Sequence, residues 1–127
     1  MRRTDVLAGL GALASCASPA AAQQLTFRCE FVDYCGMDRT CDRYGLRGEY
    51  HVDLAEERAH VLGALGQAPL VVIPTADGVT FVEVTPSGNV MTTTIARDGA
   101  AVHSRNAIIG GELSPSQYYG TCETEGT

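Results

Sequence analysis

Three cysteines at two equal intervals, Cys29, Cys35 and Cys41, carry the strongest chemical signal in this chain of 127 residues. Thiols at fixed spacing can bind a metal, carry out redox chemistry or form disulfides. Structural zinc sites use close pairs such as C-x2-C, and five intervening residues match that spacing poorly. A C-x-x-C redox motif is also missing from the sequence. The pattern therefore favours disulfides, with Cys122 as the fourth partner.

A second group, His51, Asp53 and His60, combines two imidazoles and a carboxylate, which are side chains that can bind zinc or copper. If two neighbouring strands form a hairpin here, both histidines project from its outward face with Asp53 nearby. An ordinary solvated face explains the same pattern, because the sequence leaves the register open. The group is therefore only a weak metal candidate, and we expect no cofactor.

The remaining polar residues do not form a recognisable catalytic motif. His103 and Ser104 are adjacent, but neighbouring residues of a strand point to opposite faces and cannot act as base and nucleophile. The sequence contains neither G-x-S-x-G nor H-E-x-x-H. We therefore expect that the protein is not an enzyme.

Residues 1–22 are typical of a secretory signal peptide, because two arginines precede a short apolar stretch and small residues precede Gln23. This pattern predicts export to the periplasm and one mature domain at residues 23–127. The run LASC at 13–16 also resembles a lipobox, in which Cys16 would be lipidated and hold the protein at the outer membrane. The apolar stretch is shorter than the roughly 20 residues of a spanning helix, so we expect no transmembrane helix.

The charge balance excludes some classes of partner. The chain has 15 acidic and 9 basic residues, and its formal net charge at pH 7 is -6. Nucleic-acid binding depends on basic side chains that neutralise phosphates, so we expect no nucleic acid as a partner. The same balance argues against a polybasic surface for anionic lipids.

Hydrophobic residues recur with a period of two along the mature chain, which predicts an all-β fold. The segment Leu25–Phe31 would bury its odd positions, and the segment Leu46–Leu54 would bury its even positions. Pro74 is expected to end a strand at Leu70–Ile73. The pattern predicts a small antiparallel meander of seven or eight strands, stapled by disulfides, that forms a barrel or a sandwich.

The pair Asp98-Gly99 between two alternating segments predicts a tight hairpin. A two-residue turn there would place Ile95 opposite Val102 and Thr94 opposite His103. His103 would then share a polar face with the threonines.

The meander also predicts how the cysteines pair. Cys29 faces inward on the first strand, Cys122 lies near the end of the last strand, and these two strands are neighbours if the meander closes on itself. We therefore expect disulfides between Cys29 and Cys122 and between Cys35 and Cys41. The crossed pairing, Cys29 with Cys41 and Cys35 with Cys122, remains open.

These features favour a small exported domain that acts by binding, such as an accessory protein with a protein partner in the cell envelope. Its contact surface would be the loop formed by Gly36, Met37, Asp38 and Arg39. The alternative is a lipocalin-like carrier of a small apolar ligand, although the chain has no Trp for the lipocalin entry motif. A fold by itself does not decide between these functions.

Overall fold

The structure, a computed structural model, describes Gly11, residues 23–64 and residues 66–126. The predicted leader and Cys16 lie outside the described residues. The described part forms strands and turns, and it contains no helix that could cross a membrane. The strands are β1 (Gln24–Cys35), β2 (Cys41–Asp53), β3 (Arg58–Gly63), β4 (Gly66–Thr75), β5 (Gly78–Val84), β6 (Val90–Ala96), β7 (Ala100–Asn106), β8 (Ile108–Ile109), β9 (Glu112–Leu113) and β10 (Ser116–Gly126).

Eight of these strands form a closed antiparallel barrel in the order β1-β10-β7-β6-β5-β4-β3-β2. Strands β1 to β7 follow one another around the wall as a meander, and β10 closes the barrel between β7 and β1. Strands β8 and β9 form a separate small hairpin in the connection before β10. The predicted all-β meander of seven or eight strands is confirmed: eight strands form the wall, and they close into a barrel rather than a sandwich.

Alternation in β1 and β2 follows the prediction with one exception. The odd positions of 27–31 in β1 are buried, and so are Tyr50 and Val52 in β2. Leu54, which was also expected to face inward, is 42% exposed. Strand β2 ends at Asp53, so Leu54 belongs to the following turn and no longer follows the alternation of the strand.

Two disulfides link the strands, with the pairing that the meander predicted. Cys29 and Cys122 join β1 to β10, and we call this link the seam disulfide. Cys35 and Cys41 join the ends of β1 and β2, and we call this link the loop disulfide. The seam disulfide therefore closes the barrel where the first and last strands meet, whereas the loop disulfide closes a local hairpin.

The loop between β6 and β7 is longer than the predicted two-residue turn. The N–H of Gly99 donates to the carbonyl of Ala96 at 2.9 Å, so residues 97–99 form the loop. Gly99 has a φ of 92°, a left-handed conformation that glycine adopts without a Cβ clash. A three-residue loop with a glycine in this conformation is a common hairpin connection.

The extra loop residue changes the register of the hairpin by one. Ile95 pairs with Ala101 and Thr93 pairs with His103. The predicted pairs of Ile95 with Val102 and of Thr94 with His103 are therefore wrong. Because a shift of one residue exchanges the two faces of a strand, His103 points into the barrel instead of outward, and it is 6% exposed.

Strand β4 is unusual because its two halves pair with different neighbours. Gly66–Leu70 pairs with β3, whereas Val71–Thr75 pairs with β5. Among the described ladders, no residue of β4 has partners on both sides. Pro69 and Pro74 lie within this strand, so the prediction that Pro74 ends it is wrong. Proline lacks an N–H to donate and is tolerated where one side of a strand has no ladder partner.

Three aromatic side chains fill the middle of the barrel, and we call them the aromatic plug: Phe27, Tyr50 and Phe81. Phe81 is 1% exposed. Its ring stacks on Tyr50 with 5.1 Å between ring centroids and meets Phe27 edge-on at 5.8 Å. Large aromatic side chains in such contacts contribute strongly to a core. The plug separates the interior of the barrel into two cavities.

Candidate functional site

Two cavities inside the barrel open toward opposite ends, and the aromatic plug lies between them. The first, which we call the apolar cup, has a volume of about 720 Å³ and is bounded by Phe27 of the plug. The second, which we call the polar cup, has a volume of about 430 Å³ and is bounded by Tyr50. Neither cavity is lined by Phe81, which lies between them.

The apolar cup opens at the end of the barrel that carries the turn after β2. Alternation in the surrounding strands turns aliphatic side chains inward at this level. The inward-facing lining is Leu25, Phe27, Val52, Leu70, Val72, Val79 and Ile95. Charged side chains lie at strand ends and turns: Asp53, Glu57 and Arg97. The cup thus has an apolar interior and a polar rim.

The polar cup opens at the other end, and small residues form one of its walls. Gly48, Gly63, Gly66 and Ala68 line this wall on β2, β3 and β4, and Gly63 pairs directly with Gly66. Residues with little or no side chain leave space that larger inward residues would fill. The small size of these residues therefore helps to create the cavity.

The opposite wall of the polar cup carries charge. Met91 of β6 pairs with Glu83 of β5 on one side and with Arg105 of β7 on the other. These three side chains form one row that lines the cup. The two charged residues are two strand spacings apart, which is roughly 10 Å between backbones.

A chain of hydrogen bonds runs from this wall into the core. The hydroxyls of Tyr50 and Thr93 are 2.9 Å apart, and the Thr93 hydroxyl is 2.7 Å from Nδ1 of His103. The Nε–H of Arg105 donates to Nε2 of His103 at 3.0 Å. Buried polar groups are costly unless they are paired, and this chain pairs the hydroxyls of Tyr50 and Thr93 and both ring nitrogens of His103.

The donors in this chain determine the protonation of His103. Arg105 can only donate, so Nε2 of His103 must accept with a lone pair, and the proton of the neutral ring lies on Nδ1, facing Thr93. Burial, together with the smaller effect of the nearby Arg105 charge, lowers the pKa of His103 to about 4. His103 is therefore neutral at pH 7, with both ring nitrogens engaged.

Arg105 is held in place by two contacts that leave the end of its side chain free. Its Nε bonds to His103, and its guanidinium lies over the Tyr118 ring at 5.0 Å from the centroid. Within residues 23–64 and 66–126, no carboxylate lies within ion-pair distance of Arg105, and none of the basic side chains there pairs with Glu83. The cup thus presents the Arg105 guanidinium and the Glu83 carboxylate without a salt bridge between them, whereas its other charged lining residue, Arg47, is paired with Glu30.

Both charges lie close enough to Tyr50 to act on its pKa, and all three residues line the cup. Burial raises the pKa of Tyr50, the Thr93 hydrogen bond lowers it, and then the Glu83 carboxylate raises it while the Arg105 guanidinium lowers it.

The predicted metal candidates lie on the outside of the barrel. His51 and His60 pair across β2 and β3, and their rings stack with centroids 4.9 Å apart. Asp53 instead accepts hydrogen bonds from the backbone of Ala55 and Glu56 in the next turn. In the part of the chain that the structure describes, no group of three or more His, Cys, Asp or Glu is arranged to hold a metal ion.

His51 is also engaged by other side chains. Its Nδ1 lies 3.3 Å from the hydroxyl of Thr26, and its Nε2 lies 2.9 Å from a carboxylate oxygen of Glu49. The second contact is short but is not aligned as a hydrogen bond. These contacts make the two histidines part of a polar stripe on the outer wall.

The predicted contact loop is compact and exposed. Met37 is 67% exposed at the tip, and the loop disulfide closes the base. The N–H and hydroxyl of Thr40 donate to the Asp38 carboxylate at 3.1 and 2.8 Å, and the hydroxyl is the main cause of the lowered pKa of Asp38. Arg39 has a φ of 65°, and its N–H donates to the carbonyl of Gly36.

Sequence reasoning placed His103 and Ser104 on opposite faces, and the structure agrees. His103 lies inside, whereas the Ser104 hydroxyl accepts a bond from the Gln117 side chain on the outside at 3.4 Å. The sequence did not reveal that His103 and Arg105 line a cavity. Both residues have odd numbers, like the apolar Ala101 of β7, and alternate residues of a strand point to the same face. This pattern was the signal that could have placed them inward.

Comparison of the chain with protein-family models, with curated proteins and with solved structures finds no match.

Proposed function

We propose that the protein is a non-catalytic binding protein that carries a small apolar molecule in the apolar cup. The observation that carries this proposal is a cavity of about 720 Å³ with an aliphatic lining at one end of the barrel. Ligand sites are usually concave, mostly apolar and roughly 300 to 1,000 Å³ in volume. Burial of apolar surface contributes about 25 cal/mol per Å², so the lining favours a ligand of the same character.

The rim supports the same class of ligand. The Asp53 carboxylate is occupied by the turn that follows β2. The Arg97 guanidinium donates to the carbonyl of Ala76. These charged groups therefore hold turns in place, and the interior offers apolar contacts.

The non-catalytic part of the proposal is supported by the state of His103. Both of its ring nitrogens have hydrogen-bond partners, and it lines the polar cup, away from the apolar one. A base with a pKa of about 4 is weak at neutral pH, because a general base works best with a pKa near the operating pH.

The proposal is tested with the neutral apolar fluorophore N-phenyl-1-naphthylamine. We expect its fluorescence to rise on addition to the purified protein and to saturate. The variant Val72→Glu introduces a carboxylate into the cup, because Val72 is part of its lining. The variant Val84→Glu makes the same change at an exposed valine and is the matched control. The carboxylate in the cup should raise the Kd at least tenfold, which is about 1.4 kcal/mol, whereas the control should leave it unchanged.

A second variant keeps the test decisive if the introduced carboxylate prevents folding. Val72→Phe fills part of the cup and stays apolar, so it should also weaken binding of the fluorophore. Equal affinity for all variants, or no saturable binding by the unaltered protein, would exclude the apolar cup as the site. Mass spectrometry of an organic extract of the natively purified protein then identifies the resident molecule.

The second candidate is a protein partner bound through the loop Gly36–Arg39. The observation that favours it is the fixed conformation of this loop, which a disulfide and the Asp38 hydrogen bonds maintain while Met37 stays exposed. A preformed surface loses little conformational entropy on binding. Here an envelope protein should copurify with the unaltered chain in fixed stoichiometry, and Met37→Glu should abolish the complex without changing fluorophore binding.

We further propose that the protein is exported to the periplasm. Two disulfides are supporting features, because such links persist in oxidising compartments. The intact mass of the natively produced protein tests the leader. A chain that starts at Gln23 indicates conventional cleavage, and a lipidated Cys16 indicates a lipoprotein. Retention of residues 1–22 contradicts both.

A further inference from the structure

The polar cup contains charged residues that have no role in binding an apolar molecule in the apolar cup. Its charged wall holds a guanidinium and a carboxylate on either side of Met91, and its facing wall consists of small residues. Both Glu83 and Arg105 are partly buried. Partly buried charges that lack an opposite charge lose hydration that no ion pair in the described chain replaces.

The geometry points to a second ligand site in the polar cup, which binds a small zwitterion through its carboxylate at Arg105 and its ammonium group at Glu83. A ligand with one charge would satisfy one of these residues and leave the other unpaired. A zwitterion of suitable length satisfies both at once. The cavity of about 430 Å³ is within the size range of small-ligand sites.

Arg105 is oriented for this role by its neighbours. The bond from Nε to His103 and the stacking on Tyr118 fix the plane of the guanidinium. The terminal nitrogens Nη1 and Nη2 remain available, and they form the fork that binds a carboxylate through two parallel hydrogen bonds. His103 is thus a positioning residue for the cation.

The rest of the cup fits the body of such a ligand. The Met91 side chain lies between the two charged residues, so a short hydrocarbon chain that spans them would contact its thioether. Met adapts its shape to a ligand because its side chain is unbranched and flexible. The glycines of the opposite wall leave room for the chain.

Three probes with the same five-carbon chain separate the possibilities: 5-aminopentanoate, pentanoate and pentylammonium. Binding is measured at about pH 7.5 by calorimetry or by NMR titration of the purified protein. We expect 5-aminopentanoate to bind at least tenfold more tightly than either probe with a single charge.

Two variants assign the contacts. Arg105→Gln should remove the advantage of 5-aminopentanoate over pentylammonium, and Glu83→Gln should remove its advantage over pentanoate. Arg97→Gln, at the other end of the barrel, is the matched control and should change none of the three affinities. If Arg105→Gln does not fold, Arg105→Lys keeps the charge without the fork and should give an intermediate loss.

Three results would overturn the inference. Pentanoate could bind as tightly as 5-aminopentanoate, both variants could bind 5-aminopentanoate as tightly as the unaltered protein does, or no probe could bind at about 50 mM. The fluorophore titration of the apolar cup runs separately, because the aromatic plug separates the cups. Failure of one proposal is therefore distinguishable from failure of the other.

Discussion

Protonation of His103 should make the stability of this barrel depend on pH in a defined window. Its pKa is 6.5 in an unfolded chain and about 4 in the folded protein. Because the folded pKa is depressed, the unfolded state binds the proton more tightly, and acid favours unfolding. The contribution of neutral His103 to the free energy of unfolding is fully present above pH 6.5. It falls as the pH drops toward 4 and does not change further below that.

The size of the effect follows from the two pKa values. Linkage gives a loss of about 2 kcal/mol between about pH 7.5 and pH 5, and a limiting loss of about 3 kcal/mol below pH 4. The cause is the burial of His103 against Arg105, which excludes the charged imidazolium.

Urea unfolding of the unaltered protein and of His103→Gln at a series of pH values measures this loss. The glutamine amide can still accept from Arg105 and donate to Thr93, but it does not titrate. Subtraction of the two curves removes the contribution of all other groups. If both proteins lose the same free energy of unfolding between about pH 7.5 and pH 5, protonation of the buried His103 is not the cause of the loss.

Two further perturbations concern the closure of the barrel. Replacement of Cys29 and Cys122 by alanine should lower the free energy of unfolding in urea by about 4 to 5 kcal/mol, because the seam disulfide joins residues 93 positions apart. Removal of the loop disulfide should cost about 2 kcal/mol, because its cysteines are only 6 positions apart. Equal losses would contradict the chain-entropy argument. Gly120→Ala should cost on the order of 3 kcal/mol in the same assay, because its Cβ would collide with the carbonyl oxygen of Glu30. Gly45→Ala, which meets no neighbouring atom, is the control and should be near neutral.

The parts of the fold that depend on alternation were predictable from sequence. The odd positions of 27–31 and the inward Tyr50 follow from a period of two, and alternation persists because one face of each strand is buried. Pairing of Cys29 with Cys122 then followed from the closure of the meander. These features need only local pattern and chain order.

The polar cup could not be predicted in the same way. Its wall depends on the register of β6 and β7, and one additional residue in the loop at 97–99 decides which face His103 occupies. The bond between Tyr50 and Thr93 joins residues that are 43 positions apart. Side-chain alternation specifies the face of each residue, but neighbours across the barrel depend on the combined stagger of all eight strands.

The divided pairing of β4 gives the wall of this barrel a point of mechanical weakness. The two ladders of β4 do not overlap. A force that pulls β3 away from β5 is therefore carried by the covalent backbone between Leu70 and Val71 and not by a continuous row of hydrogen bonds. Either half can detach by breaking only five residue pairs. Loss of either half would leave a gap in the wall at β4, on the side of the barrel away from the seam disulfide.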